Sequence, residues 1–133
     1  MSGLYVSKVI LGAASYGSSK WQNWILEEAE ALPLLEYAFK QGINTWDTVR
    51  LNIAVPLADA YANGLSEEII GKALRSYNIP REQIVILTKM YYAIDPMNQP
   101  GISQMRDKTK QHLVNRLGLS RKHILDAVAG SVR

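Results

Sequence analysis

Gly42-Ile43-Asn44-Thr45-Trp46-Asp47-Thr48, followed by nine residues from Val49 to Leu57 and then Ala58-Asp59-Ala60-Tyr61-Ala62-Asn63-Gly64-Leu65-Ser66, is the stretch that decides how this chain folds. Gly42 closes a helical pattern, because a glycine just past a helix adopts the left-handed conformation that ends it. Ile43 to Asp47 then reads as a strand. Asn63-Gly64 signals a turn, and Ser66 reads as the N-cap of a second helix, with Glu67 and Glu68 in the first turn where the helix dipole favours acids. The stretch is therefore a strand, a loop at its carboxyl end, and a helix.

Working outward toward the amino terminus, Ala31, Leu34, Leu35, Ala38 and Phe39 fall at helical spacing behind Glu27, Glu28 and Glu30. Pro33 is tolerated only in a first turn, which sets the expected start of regular helix close to Ala31. Before it, Ser7 to Leu11 is a short β-branched run ended by Gly12, the pattern of a buried parallel strand. The loop from Ala13 to Trp24 is rich in small residues and then aromatic. It contains neither a Walker loop nor Gly-x-Gly-x-x-Gly.

Toward the carboxyl terminus, Ile69, Ile70, Ala73, Leu74 and Tyr77 share one helical face, and Asn78-Ile79-Pro80 stops that helix. Ile84 to Thr88 is apolar on consecutive positions, as a strand buried on both faces should be, and Lys89 follows it. Met90 to Leu119 shows no period and contains Pro96, Pro100 and Gly101; loops of that length in compact domains are usually functional or disordered. Ser120 caps a final helix expected to face inward through Ile124, Leu125 and Val128. The order strand, helix, strand, helix, strand makes this an α/β chain.

Composition permits folding and names no function: 133 residues, 47% hydrophobic and 20% charged, are ordinary for a globular domain. With no cysteine, disulfides, thiolate metal sites and a cysteine nucleophile are excluded. No metal site is expected, since His112 and His123 are too far apart for a helical His-x-x-x-His pair, and both read as surface residues. The amino terminus lacks the apolar core of a signal peptide and no apolar run is long enough to cross a bilayer, so no membrane association and a cytoplasmic location are expected. From Arg106 onward lie seven of the fifteen Lys and Arg but only two of the twelve acids. That tail has almost no aromatic residues for base stacking and reads as a solvated basic face, with no nucleic acid expected as partner.

With Val49 to Leu57 set aside, the text runs G-I-N-T-W-D-T-A-D-A-Y-A-N-G-L-S-E-E-I-I-G-K-A-L. This resembles the signature of aldo-keto reductases, and Ile84-Val85-Ile86-Leu87-Thr88-Lys89 resembles the strand in which that family's lysine appears. The resemblance implies catalytic roles for Asp47, Tyr61 and Lys89 in order, three members of the family's tetrad; the fourth, a histidine after the following strand, has no counterpart here. The first strand-to-helix loop resembles the one that lies beside the nicotinamide, and the cofactor-binding residues the family resemblance implies are Gly12, Ala13, Tyr16 and, at the end of the second strand, Asp47. Gly118-Leu119-Ser120-Arg121-Lys122-His123-Ile124 is similar to fungal-type members. The implied cofactor is NADP, and the implied substrate a small-molecule carbonyl, an aldehyde or ketone reduced by hydride transfer.

The family's fold is a TIM barrel of eight strand-helix units and about 250 residues. Here the resemblance implies an incomplete (β/α)8 barrel holding the first three units, with residues 1 to 133 as the amino-terminal part of one domain. Val49 to Leu57 stands as an atypical insertion, expected to be an artefact of splicing or gene assembly, or otherwise a poorly packed excursion beside the second strand. The chain's late cofactor-phosphate loops are absent, so it is expected to show no turnover alone. The rival reading is an inactive, pseudogene-like fragment or a cofactor-binding regulatory module. Three strands alone would leave open edges and uncover Val9, Ile10, Ile43, Val85 and Ile86, which makes the isolated chain an expected aggregator.

Overall fold

The computed structural model describes residues 3–20, 23–48, 64–91 and 114–132. Three parallel strands lie side by side in chain order: β1 (Leu11–Gly12), β2 (Thr45–Asp47) and β3 (Val85–Leu87). Gly12 stands opposite Asp47, and Asp47 opposite Leu87, so the three carboxyl ends are level. Between and after them come α1 (Glu28–Lys40), α2 (Leu65–Ser76) and α3 (Arg121–Ser131), with a 3-10 turn at Arg81–Gln83 leading into β3. The alternation read from the sequence is present as a partial α/β unit, and the described residues close no barrel.

The strands are shorter than their apolar runs, for a local reason. At the amino end of β2, Thr45 N–H donates to Ser7 Oγ at 3.1 Å and Ser7 N–H donates to Thr45 Oγ1 at 3.1 Å. Side chains thus take the place of the β1–β2 ladder there. Val9 and Ile10 stay outside β1 and are 62% and 50% exposed, as expected of an uncovered inner face. Ile43 and Ile86, expected to be left open with them, instead pack partly against the core, while Val85 is half-buried.

That core lies on the helical side of the sheet. Trp46 is fully buried and joins Ala31 and Leu35 of α1 with Ile69, Ile70 and Ala73 of α2. Its indole N–H is satisfied by the Ile43 carbonyl at 2.8 Å, which is what permits so large an amphipathic ring inside. Because strand side chains alternate, a Trp46 aimed at the helices sends Thr45 and Asp47 to the opposite face.

Both α1 and α2 end in the same way. Ile43 N–H donates to Ala38 O at 3.0 Å and Gly42 N–H to Phe39 O at 2.9 Å; Ile79 N–H donates to Leu74 O at 2.9 Å and Asn78 N–H to Arg75 O at 3.4 Å. Gly42 at φ +79° and Asn78 at φ +51° occupy the left-handed position that this motif requires. Each time the next residue is an isoleucine returning to the core.

Four expectations about the helices are corrected. Regular helix in α1 begins at Glu28, ahead of Ala31, and Pro33 lies inside it. The Glu27 carboxylate is held by Ser19 N–H at 2.7 Å and Ser19 Oγ at 2.6 Å, and Glu27 N–H donates to Glu30 at 3.3 Å, so the start is anchored firmly enough to outweigh the one bond that Pro33 cannot make. Leu34 of the expected inner face is 46% exposed. In α3, Ser120 does cap, accepting from His123 N–H at 3.2 Å, but the inward face is His123 and Ala127 while Leu125 and Val128 are 58% and 43% exposed. The fourth correction concerns Ser66, which is not an N-cap: α2 starts at Leu65 behind Gly64, and the serine hydroxyl is used elsewhere.

Candidate active site

Asp47 is the last residue of β2 and Lys89 lies two residues beyond the end of β3, so adjacent parallel strands deliver both side chains to one end of the sheet. Lys89 Nζ stands 2.6 Å from Asp47 Oδ1, with the two side chains 32% and 36% exposed. An ion pair this open adds about 1 kcal/mol or less to stability, so its value lies in where it holds an ammonium. Asp47 is fixed in turn by backbone bonds: Ala13 N–H donates to its carbonyl at 2.9 Å, and the next residue, Thr48, donates to Leu87 O at 2.9 Å.

Behind the pair is a buried hydroxyl link. Ser66 Oγ donates to Ala13 O at 2.8 Å and lies 3.2 Å from Thr48 Oγ1. A carbonyl can only accept, so the Ser66 proton is committed to Ala13 and the Thr48 hydroxyl is the donor of the second bond. Thr48 and Ser66 are 0% and 1% exposed. This link joins the exit of β1, the exit of β2 and the first turn of α2. It also explains why Ser66 does not cap α2: without it the buried Thr48 hydroxyl would lose its acceptor, at a cost of about 1–3 kcal/mol, whereas a helix-end amide can turn to water.

Of the residues assigned to the cofactor from the sequence, Gly12, Ala13 and Tyr16 lie in and after β1, and Asp47 ends β2. Gly12 is exposed at the strand end, and a Cβ added there would meet nothing within 4 Å among the described residues, which leave the space beside Asp47 open. Ala13 is fully buried and Tyr16 is 5% exposed, both within the core cluster. Burial pushes the Tyr16 phenol above its ordinary value of 10.0, so it stays a neutral hydroxyl. The loop is shaped by a parallel bridge between Tyr16 and Leu26, with Gly17 N–H donating to Leu26 O at 3.0 Å. Tyr61, the insertion Val49 to Leu57 and His112 lie outside the described residues.

His123, read from the sequence as a surface residue, is 5% exposed. Its Nε2 lies 2.6 Å from the carbonyl oxygen of Met90, the residue after Lys89. The Ser120 cap sets the phase of α3 so that positions 123 and 127, one turn apart, face inward. Thr88, on the other side of Lys89, donates from Oγ1 to Glu67 Oε1 at 2.6 Å. The helical pattern around residue 123 gave no signal for this, because its partner is 33 residues away.

A groove of about 710 Å³ lined by Tyr5, Phe39, Asn44, Arg81 and Val85 lies at the opposite, amino end of the strands. Barrel enzymes keep their chemistry at the carboxyl ends, and Asp47 and Lys89 do not touch this groove. No helix among the described residues is long and apolar enough to cross a membrane.

The sequence model described as the aldo/keto reductase family matches residues 8–126. The chain is 52% identical over 132 residues to versiconal hemiacetal acetate reductase of Aspergillus parasiticus, covering 98% of this chain and 36% of that protein. It is 44% identical over 137 residues to an aldo-keto reductase of Fusarium vanettenii, covering 98% of this chain and 34% of that one. A third relative, an aldo-keto reductase of Alternaria alternata, is 44% identical over 140 residues, covering 99% and 36%. The chain thus spans about a third of the length of these curated relatives.

Proposed function

This chain belongs to the aldo/keto reductase family, and on that premise we propose that its strand-helix units are the first three of a (β/α)8 barrel oxidoreductase whose carbonyl-reducing site includes Asp47, Tyr61 and Lys89. The observation that carries the reading is the Lys89–Asp47 contact of 2.6 Å at the carboxyl ends of neighbouring parallel strands. An aldehyde or ketone that takes up hydride gathers negative charge on its oxygen and needs a proton donor within hydrogen-bond reach. Tyr61 gives its phenolic proton to that oxygen, leaving the alcohol. The Lys89 ammonium stabilises the phenolate left behind, and Asp47 holds the ammonium in place. The reduced cofactor, NADPH, would supply the hydride when bound and leave as NADP+.

The open space over Gly12 beside Asp47 suits a flat ring approaching the strand ends. Gly12 and Asp47 would face it, with Ala13 and Tyr16 supporting the loop from within the core. The substrate class is a small-molecule carbonyl, in keeping with the reductase names of the relatives.

NADPH titration and NADPH oxidation with a panel of aldehydes and ketones test this on the purified protein. Lys89→Met and Tyr61→Phe should each lower kcat by ~10²–10⁴, the usual worth of a positioned acid and its partner, with cofactor affinity little changed. Equal turnover in Lys89→Met and the parent would refute the assignment. Tight NADPH binding with no carbonyl turnover in the parent protein would replace it with the cofactor-binding module.

A further inference from the structure

Three consecutive residues leave β3, and each is held by a different element. Thr88 Oγ1 donates to Glu67 of α2, Lys89 Nζ pairs with Asp47 of β2, and the Met90 carbonyl lies 2.6 Å from His123 Nε2 of α3. We propose that His123 is a positioning residue for Lys89: its Nε2–H fixes the Met90 carbonyl, and through it the backbone from which the ammonium reaches Asp47.

The carbonyl accepts only, so Nε2 must carry the proton. Nδ1 is buried and has no partner among the described residues. Leaving a buried acceptor unpaired costs free energy. An apolar side chain of the same size would fill the space without that cost, so what the imidazole adds over such a residue is the Met90 bond. Lys89 needs an external anchor for its geometry. Its four-carbon stem is flexible, and its ion pair is about a third exposed and too weak to order the stem unaided. Fixing the residues before and after it removes the backbone freedom that would otherwise add to that of the stem. A shift of ~1 Å in such a group costs about 100-fold in rate, so the tether matters for the reaction as well.

The catalytic consequence rests on the proposed function, whereas the geometric claim does not. The test uses the full chain as parent, His123→Leu, and His123→Gln, whose side-chain amide restores an N–H donor at similar reach. Competitive acylation of lysines reads the environment of Lys89, with Lys40 and Lys72 as internal references. His123→Leu should raise Lys89 labelling by about threefold or more relative to the references, the size expected on losing an exposed ion pair, and His123→Gln should restore it. A merely structural role would raise all three lysines together by lowering the folded fraction. Nitrogen NMR of the parent imidazole should show the Nε2–H tautomer.

Unchanged relative Lys89 labelling in a folded His123→Leu, or an Nδ1–H tautomer in the parent, overturns the proposal. If His123→Leu does not fold, the parent tautomer decides it. Where the parent reduces carbonyls, kcat of His123→Leu should fall while KM changes little; failure of the parent to bind NADPH would count against the proposed function and leave the labelling result standing.

Discussion

Removing the Ser66 hydroxyl isolates the link that ties two strand ends to a helix start. In Ser66→Ala, Ala13 O keeps only its longer bond from Tyr16 N–H at 3.2 Å, and the buried Thr48 hydroxyl loses its acceptor at 3.2 Å. A buried polar group stripped of its partner costs about 1–3 kcal/mol, which is roughly 5- to 150-fold in the rate of local opening. Thr48→Val should cost less, about 0.5–1.5 kcal/mol, because Ser66 still donates to Ala13 and the lost hydroxyl leaves no orphan donor behind. The double variant should be milder than the sum by about 0.5 kcal/mol or more, since removing Ser66 no longer strands Thr48. Hydrogen exchange of peptides spanning Leu11–Tyr16 and Leu65–Ser76 reads these openings separately. Additive effects, or a Ser66→Ala change below a factor of about two, would mean that the link does not couple these elements.

Trp46→Ala removes the largest fully buried side chain and the partner of the Ile43 carbonyl, and should cost about 3–5 kcal/mol, enough to abolish cooperative thermal unfolding in a small domain. Glu27 carries a pH signature: the Ser19 hydroxyl, then the Ser19 amide, hold its carboxyl below the ordinary 4.5. A depressed carboxylate stabilises the folded state at pH above 4.5, and that contribution is lost as pH falls through the lower folded value. Exchange at the start of α1 should therefore quicken below pH 4.5 in the parent and show no such step in Glu27→Gln; a matching acid step in the variant would assign it to another group.

Part of the candidate site was legible in the sequence. Asp47 and Lys89 were singled out because the words around them resemble the aldo-keto reductase signature; the apolar runs before them marked only the strands they follow. The fold brings the two side chains within 2.6 Å of each other. His123 was misread because a histidine in the first turn of a helix is ordinarily exposed, and nothing within its own turn says otherwise.

The elements that the chain determined by itself are those set by neighbours a few residues apart: the strand-helix alternation, the helix stops at Gly42 and Asn78, and the Ser120 cap. Short-range sterics and backbone bonding suffice for these. Tertiary structure alone decided what depends on distant partners. Ser66 reaches Ala13 across 53 positions, Thr45 meets Ser7 across 38, and His123 meets Met90 across 33. For Ser66 the local pattern offered a cap, and a buried acceptor far along the chain offered another role. The second prevailed because an unpaired polar group inside costs more than an unmade cap in water.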